Sequence, residues 1–272
     1  MTAEPIRVSP GWLDLRERAD AAARARALVG DLRRLPRGRP WVIHDLACGS
    51  GSMGRWLAPL LPGPQRWILH DRDADLLALA AAGTPGRAAD GAAVAVETRL
   101  SDVTQLDRGD LAGATLITAS ALLDLLTADE LAAVVDGCAG AACPVLVTLS
   151  VTGRVRLDPP DPLDARLAAA FDAHQRRMTP RGRLLGPDAV EAAVAAFRRS
   201  GAEVVVRPSP WRLGAAESGL AAAWLAGWVG ASCEQEPGLA VEADLYRRRR
   251  LKQARARELA VTVGHADLLV LP

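Results

Sequence analysis

Asp45-Leu46-Ala47-Cys48-Gly49-Ser50-Gly51-Ser52-Met53-Gly54 is the stretch on which the reading of this chain turns. It ends an apolar run, Trp41 to Leu46, with the character of a buried strand. It also opens a segment of helical spacing from about Ser52 to Leu61, stopped by Pro62. Gly49, Gly51 and Gly54 satisfy G-x-G-x-x-G between strand and helix. Glycines there let the backbone turn sharply and bring the free N–H groups of a helix N-terminus against a ligand. The pattern is that of the dinucleotide fingerprint, but other nucleotide-derived cofactors use the same geometry.

Outward from the loop, strand and helix signals alternate. Trp67 to His70 reads as a strand and Asp73 to Ala82 as a helix; Ala93 to Glu97 and Ala114 to Ala119 read as strands. A helix from Thr127 to about Cys138 precedes a fifth strand, Pro144 to Val151. Such spacing means βαβ units, hence a doubly wound, mostly parallel sheet covered on both faces. Residues 158–186, rich in proline, arginine and aspartate, read as a loop with one helix. A helix over 187–200, a sixth strand from Glu203 to Arg207 and a helical block over about 214–260 follow. Val261 to Val263 and Asp267 to Leu271 close the chain as two short strands. Before the first strand, Trp12 to Leu35 predicts one or two helices ending at Pro36, a cap over 1–40 preceding a domain over 41–272.

Three acids close successive strands on one edge. Asp45 can face a cationic group. Asp71 lies 20 residues after Gly51, where a carboxylate accepts both hydroxyls of a ribose. Asp102 is placed to accept an exocyclic amine of adenine. Taken singly, each is also a reasonable helix N-cap.

With these residues in place, the chain resembles the class I S-adenosylmethionine-dependent methyltransferases. DLACGSG matches their first motif, with Ala47 in place of the usual first glycine. The resemblance covers about residues 41–207 and the terminal segment. It implies a Rossmann-like sheet of seven strands with an antiparallel last strand, S-adenosyl-L-methionine as cofactor, and no metal. It places Asp45, Ala47, Gly49, Ser50 and Gly51 at the methionine moiety and Asp71 with Arg72 at the ribose. Ser101, Asp102 and Val103 fall to the adenine, and Ser120 to Asp124 to the sulfonium and acceptor.

Thirty-three basic against thirty-two acidic residues leave a net charge of +1, which argues against a nucleic-acid partner. The Asn/Asp-Pro-Pro-Tyr/Phe pattern of amino-directed nucleic-acid methyltransferases is absent after strand four, and so is a Pro-Cys nucleophile. A small-molecule acceptor is the expectation. No run of 18 or more apolar residues signals a membrane span, and residues 1–12 lack the features of a signal peptide. Four cysteines without paired spacing suit reduced thiols in the cytoplasm.

His174 is the candidate general base, in the region that roofs the acceptor in this family; an exposed helix histidine is the plainer reading. His265 reads as a turn residue. His44 and His70, next to Asp45 and Asp71, point to the opposite face and read as packing. Trp12, Arg16, Asp20 and Arg24 recur every four residues on one helical face. Arg16 there suits a carboxylate clamp, though a solvated helix face with ion pairs is the plainer reading, and Trp12, Arg16 and Asp124 are the expected acceptor contacts. Trp224 and Trp228 read as core or as a homodimer face, with an aromatic acceptor pocket the lesser alternative, and the seven basic residues within 245–257 as a solvated helix or a phosphate patch. Three rival functions stay open: aminocarboxypropyl transfer or cyclisation on the same cofactor, an NAD-dependent dehydrogenase, and a non-catalytic binder.

Overall fold

The computed structural model describes residues 8–35 and 39–272; the segment read for a signal peptide and the expected stop at Pro36 lie largely or wholly outside them. Helices α1 (Pro10–Ala23) and α2 (Arg26–Arg34) come first. Then follow β1 (Trp41–Leu46), α3 (Ser52–Leu57), β2 (Gln65–Asp71), α4 (Ala74–Gly83), β3 (Val94–Leu100) and β4 (Leu116–Ser120). Next come α5 (Ala128–Ala141), β5 (Val145–Asp158), α6 (Asp164–Gln175) and the small strands β6 (Met178–Thr179) and β7 (Gly182–Arg183). The chain ends with α7 (Ala189–Arg199), β8 (Glu203–Pro208), β9 (Trp211–Leu213), α8 (Ser218–Gln235), α9 (Ala240–Arg255) and β10 (Ala260–Leu271).

The sheet runs β3-β2-β1-β4-β5-β10-β8, with β9 paired to β10. Strands β1 to β5 are mutually parallel, and β10 lies antiparallel between β5 and β8. One face buries Trp41, Ile43, Trp67, Leu69 and Leu116 against α2, α3 and α4. The other buries Leu46, Ile117, Ala119 and Val147 against α5 and α7. Central strands covered twice are continuously apolar, as a parallel sheet requires.

Two expectations are corrected. The fifth strand does not stop at Val151 but runs to Asp158, and the two closing strands are one strand, β10. The polar interruption at Gly264 to Asp267 is absorbed by register shifts between Val263 and His265 and between Ala266 and Leu268, not by a turn. Beyond Ser150, β5 changes from a continuous apolar run to alternation. Arg154, Arg156 and Asp158 are exposed, while Leu157 is buried. That period of two marks a strand covered on one face only. Ser120, the last residue of β4, pairs with Thr148, so β5 overshoots the carboxyl edge of the sheet by ten residues, paired there with Ala260 to His265.

This arm, joined by β9 along Val261 to Val263, carries a third core. Leu157, Val261, Val263, Trp211 and Leu213 pack against Leu167 of α6, Trp224 and Trp228 of α8 and Tyr246 of α9, with Trp12 and Ala23 of α1 at its margin. Trp224 and Trp228 stack at 5.2 Å and are buried, so they are core. Four of the basic residues of α9 have acidic partners: Arg250 makes a bidentate pair with Asp164 (2.7 and 2.9 Å), Arg249 bonds Asp161, and Arg247 and Arg248 hold Asp244. The helix is therefore largely charge-compensated rather than a bare cationic patch. No described helix is long and apolar enough to cross a membrane.

Candidate active site

The loop after β1 is built by its backbone. Ala47, Gly49 and Gly51 have φ of +50°, +55° and +88°. At Gly51 a Cβ would sit 2.8 Å from Ala80 Cα of α4, so glycine is required there by conformation and by space. At Gly54 a Cβ would make only ordinary contacts with Thr84 and Trp67. The motif's demand thus rests on its first two glycines. Ala47 accepts the left-handed region at a cost of about 1–2 kcal/mol.

Asp45, on β1, is fully enclosed. Its Oδ1 accepts the Thr118 hydroxyl at 2.7 Å, across the β1–β4 pair, while Oδ2 is buried with no partner. Burial pushes its pKa up to about 7, against the pull of Thr118 and Arg24. Asp71, at the end of β2, accepts the N–H of Gly49 at 2.8 Å and of Asp73 at 3.0 Å, leaving lone pairs on both oxygens. It therefore ties the glycine loop to the next strand end. Asp102 is exposed, and its Oδ1 caps the turn Val103–Gln105 by accepting the N–H and hydroxyl of Thr104. Here the N-cap reading holds for one oxygen. Val103 is buried beside it, Arg72 is exposed, and Ser50 is buried with its carbonyl on Arg55.

The Ser101 hydroxyl lies 3.1 Å from His70 Nδ1, and His70 Nε2 lies 3.1 Å from His44 Nδ1. The two rings stack, and burial holds both pKa values near 4. The expected packing role for these histidines is joined by a hydrogen-bond chain.

Helix α1 lies over the loop. Leu13 Cδ1 is 3.5 Å from the Cβ position of Gly49, and Glu17 grips Arg55 of α3 through two bonds of 2.6 Å. Arg24, the C-cap residue of α1 and so just past the helix, reaches the loop. It donates to Ser52 Oγ (2.9 Å), Ser120 Oγ (3.1 Å) and the Ser52 carbonyl (3.3 Å), with its guanidinium 5.3 Å from the Trp56 ring centre. Burial lowers its pKa, opposed by Asp20, Asp45 and Asp267, yet none of these lies within ion-pair distance. A buried guanidinium whose hydrogen bonds all go to neutral acceptors has no direct anionic partner, and an anionic ligand group would supply one. Arg24, not Arg16, is thus the candidate carboxylate clamp at the loop. Its four-residue spacing from Asp20 was the only sequence signal.

Arg16 lies further out, bonded to Asp20 Oδ2 at 2.9 Å and 4.9 Å over the Trp211 ring. Trp211 donates to Asp20 Oδ1 at 2.9 Å and packs with Trp12 and His265. Asp124, in the turn after β4, has its pKa raised to about 6 by burial, with Arg16 pulling the other way. Arg16 and Asp124 feel one another's charge without forming an ion pair. His265 sits inside β10, not in a turn, with Nδ1 unpartnered and its pKa held at about 3 by burial. His174 is elsewhere: its Nε2 meets Glu234 of α8 at 3.2 Å on the outer side of the roof. Among the described residues, no group of three or more His, Cys, Asp or Glu side chains is placed to hold a metal. Two open cavities, of about 230 Å³ by Asp158 and Gly214 and about 290 Å³ by Cys233 and Arg247, belong to the roof and not to the loop.

The strand order, with β10 inserted antiparallel before the last position, completes the sheet that the sequence motif implies. The chain has the class I methyltransferase fold. No family model matches this sequence, and no curated protein does. Among solved structures, a magnesium protoporphyrin IX methyltransferase from Synechocystis with bound S-adenosylhomocysteine is similar. It shows a TM-score of 0.47 and 15% identity over 76% of this chain and 84% of that one. A cyclopropane synthase from Mycobacterium tuberculosis gives 0.46 and 13% over 90% and 82%. A methyltransferase from Geobacter sulfurreducens with S-adenosylhomocysteine gives 0.43 and 16% over 100% and 95%. At this identity and TM-score the likenesses carry no argument about chemistry, which rests on this chain's own residues.

Proposed function

We propose that the chain is an S-adenosylmethionine-dependent methyltransferase acting on a small-molecule acceptor in the cytoplasm. The observation that carries this reading is a buried carboxylate oxygen and a buried guanidinium, each without a direct ionic partner, beside the glycine loop. Asp45 Oδ2 lacks any partner, and the Arg24 guanidinium lacks a carboxylate. An α-amino, α-carboxylate zwitterion supplies both partners, ammonium to Asp45 and carboxylate to Arg24. Asp71, at the next strand end, retains lone pairs for ribose hydroxyls, and Val103 gives an adenine an apolar surface. A nicotinamide dinucleotide would use Asp71 but leave Asp45 and Arg24 unanswered.

When bound, the sulfonium supplies an already activated methyl carbon, so the protein's part is positioning and, where the acceptor carries a proton, its removal. Trp12, Arg16 and Asp124 form the acceptor side. Asp124 replaces His174 as the proton-accepting group, because it lies directly after β4 and its raised pKa matches a base working near neutrality. Arg16 orients an electronegative group of the acceptor.

Calorimetric titration of S-adenosylmethionine, S-adenosylhomocysteine and NAD tests the reading, with Asp71→Ala as control. Micromolar binding of the two adenosyl ligands, lost in the variant, is expected; binding of NAD alone overturns it. Product analysis then separates methyl transfer, which leaves S-adenosylhomocysteine, from aminocarboxypropyl transfer, which leaves methylthioadenosine.

A further inference from the structure

One buried carboxylate has no place in the site so far. Asp267 of β10 is 1% exposed and lies where β10 slips register against β5. Its Oδ1 accepts the N–H of Leu149 at 2.8 Å and the hydroxyl of Ser209 at 2.5 Å, and its Oδ2 accepts the N–H of Ala25 at 2.7 Å. Leu149 has φ of +57°, so the same carboxylate holds β5 in a strained bend where the arm leaves the sheet. Ser209 is the corner between β8 and β9, and Ala25 is the elbow between α1 and α2. Three segments remote in sequence therefore meet on one side chain, and the residue next to the elbow is Arg24.

Arg24 leaves α1 with extended backbone, φ −51° and ψ 133°, and its N–H closes on the Asp20 carbonyl. Nothing local dictates which way such an elbow turns. The Ala25 N–H is bonded to Asp267, and the guanidinium of Arg24 reaches Ser52 and Ser120. We propose that Asp267 is a positioning residue: it pins the α1–α2 elbow to the sheet–arm junction and so aims Arg24 at the carboxylate of the bound cofactor. This rests on the cofactor reading above. It gives the last strand, far from the glycine loop in sequence, a direct part in cofactor affinity.

The test compares two ligands differing in the tail that Arg24 would hold. S-adenosylhomocysteine carries the amino-acid tail; methylthioadenosine has the same adenosine and sulfur without it. Calorimetry on Asp267→Asn is expected to show at least a tenfold loss for S-adenosylhomocysteine and less than a twofold change for methylthioadenosine. Arg24→Gln should show the same selective loss, and the double variant no further loss. Equal weakening of both ligands, or unchanged binding of both, overturns the proposal. If Asp267→Asn fails to fold, Ala25→Pro removes the single N–H bond to Asp267 at a position whose φ of −72° already suits proline. It must give the same selective loss, or the proposal falls. Wild-type protein that binds neither ligand would instead mark failure of the cofactor reading itself.

Discussion

The glycine-loop half and the roof are built by opposite rules. In the first, the acids stand at strand ends, each within a few residues of a local signal: Asp45 before the glycines, Asp71 closing β2, Asp102 capping a turn. In the second, the arm of β5 and β10 holds α6, α8 and α9 over the same edge, and its residues meet only through long-range packing. Trp211 reaches Asp20 across 191 positions and Ser232 reaches the Leu167 carbonyl across 65. Local grammar places the strand-end acids of the first half; long-range packing places the side chains of the second.

The sharpest way to break that division is to empty the roof. Trp228→Ala should cost about 3–5 kcal/mol, since it removes a fully buried ring from the third core. Hydrogen exchange should show α8 and α9 losing protection while β1, β2 and β4 keep theirs. Equal loss everywhere would make the two regions one cooperative unit. In the loop half, Gly51→Ala should cost about 2–5 kcal/mol in urea unfolding, from its left-handed backbone and the close approach to Ala80.

Function separates next. Asp71→Ala should lower S-adenosylhomocysteine affinity by roughly 10- to 150-fold, the equivalent of about 1.5–3 kcal/mol. Arg176→Ala, which breaks the pair of Arg176 at the end of α6 with Asp188, should leave that affinity unchanged.

pH gives a finer contrast. Asp45 has a raised pKa of about 7, so its contribution to stability is fully present below its ordinary value near 3.8 and lost as pH rises through 7. His44 and His70 are lowered to about 4, so theirs is present above 6.5 and lost as pH falls through 4. Asp45→Asn should therefore gain on the order of 2–4 kcal/mol over wild type at pH 8, and nothing below pH 4, while weakening S-adenosylmethionine. A gain independent of pH would contradict burial as the cause of the shift. The smallest effect expected is from Ala47→Gly, a stabilisation of at most about 1 kcal/mol with cofactor affinity kept, because φ of +50° is easier for glycine.

The parallel order of β1 to β5 and the three strand-end acids were legible because apolar runs, glycines and acids sit within short windows. The overshoot of β5 was legible in principle, in the alternation Arg154-Val155-Arg156-Leu157, but that signal is weaker than the run before it. The fusion of the closing strands was not: a glycine and two polar residues look like a turn unless the neighbouring strand absorbs the slip. His174 was chosen by its region and not by any partner, and the structure pairs it with Glu234.

Sequence by itself determined the doubly wound sheet, the glycine loop and the acids around it, since each depends on hydrophobic period and on backbone freedom within a few residues. The tertiary structure alone decided that Arg24 bonds Ser52 and Ser120, that Arg16 and Asp124 come near enough to feel one another's charge, and that Asp267 holds the Ala25 N–H. Those outcomes depend on where distant segments cross, and a buried charge takes its meaning from what surrounds it in space.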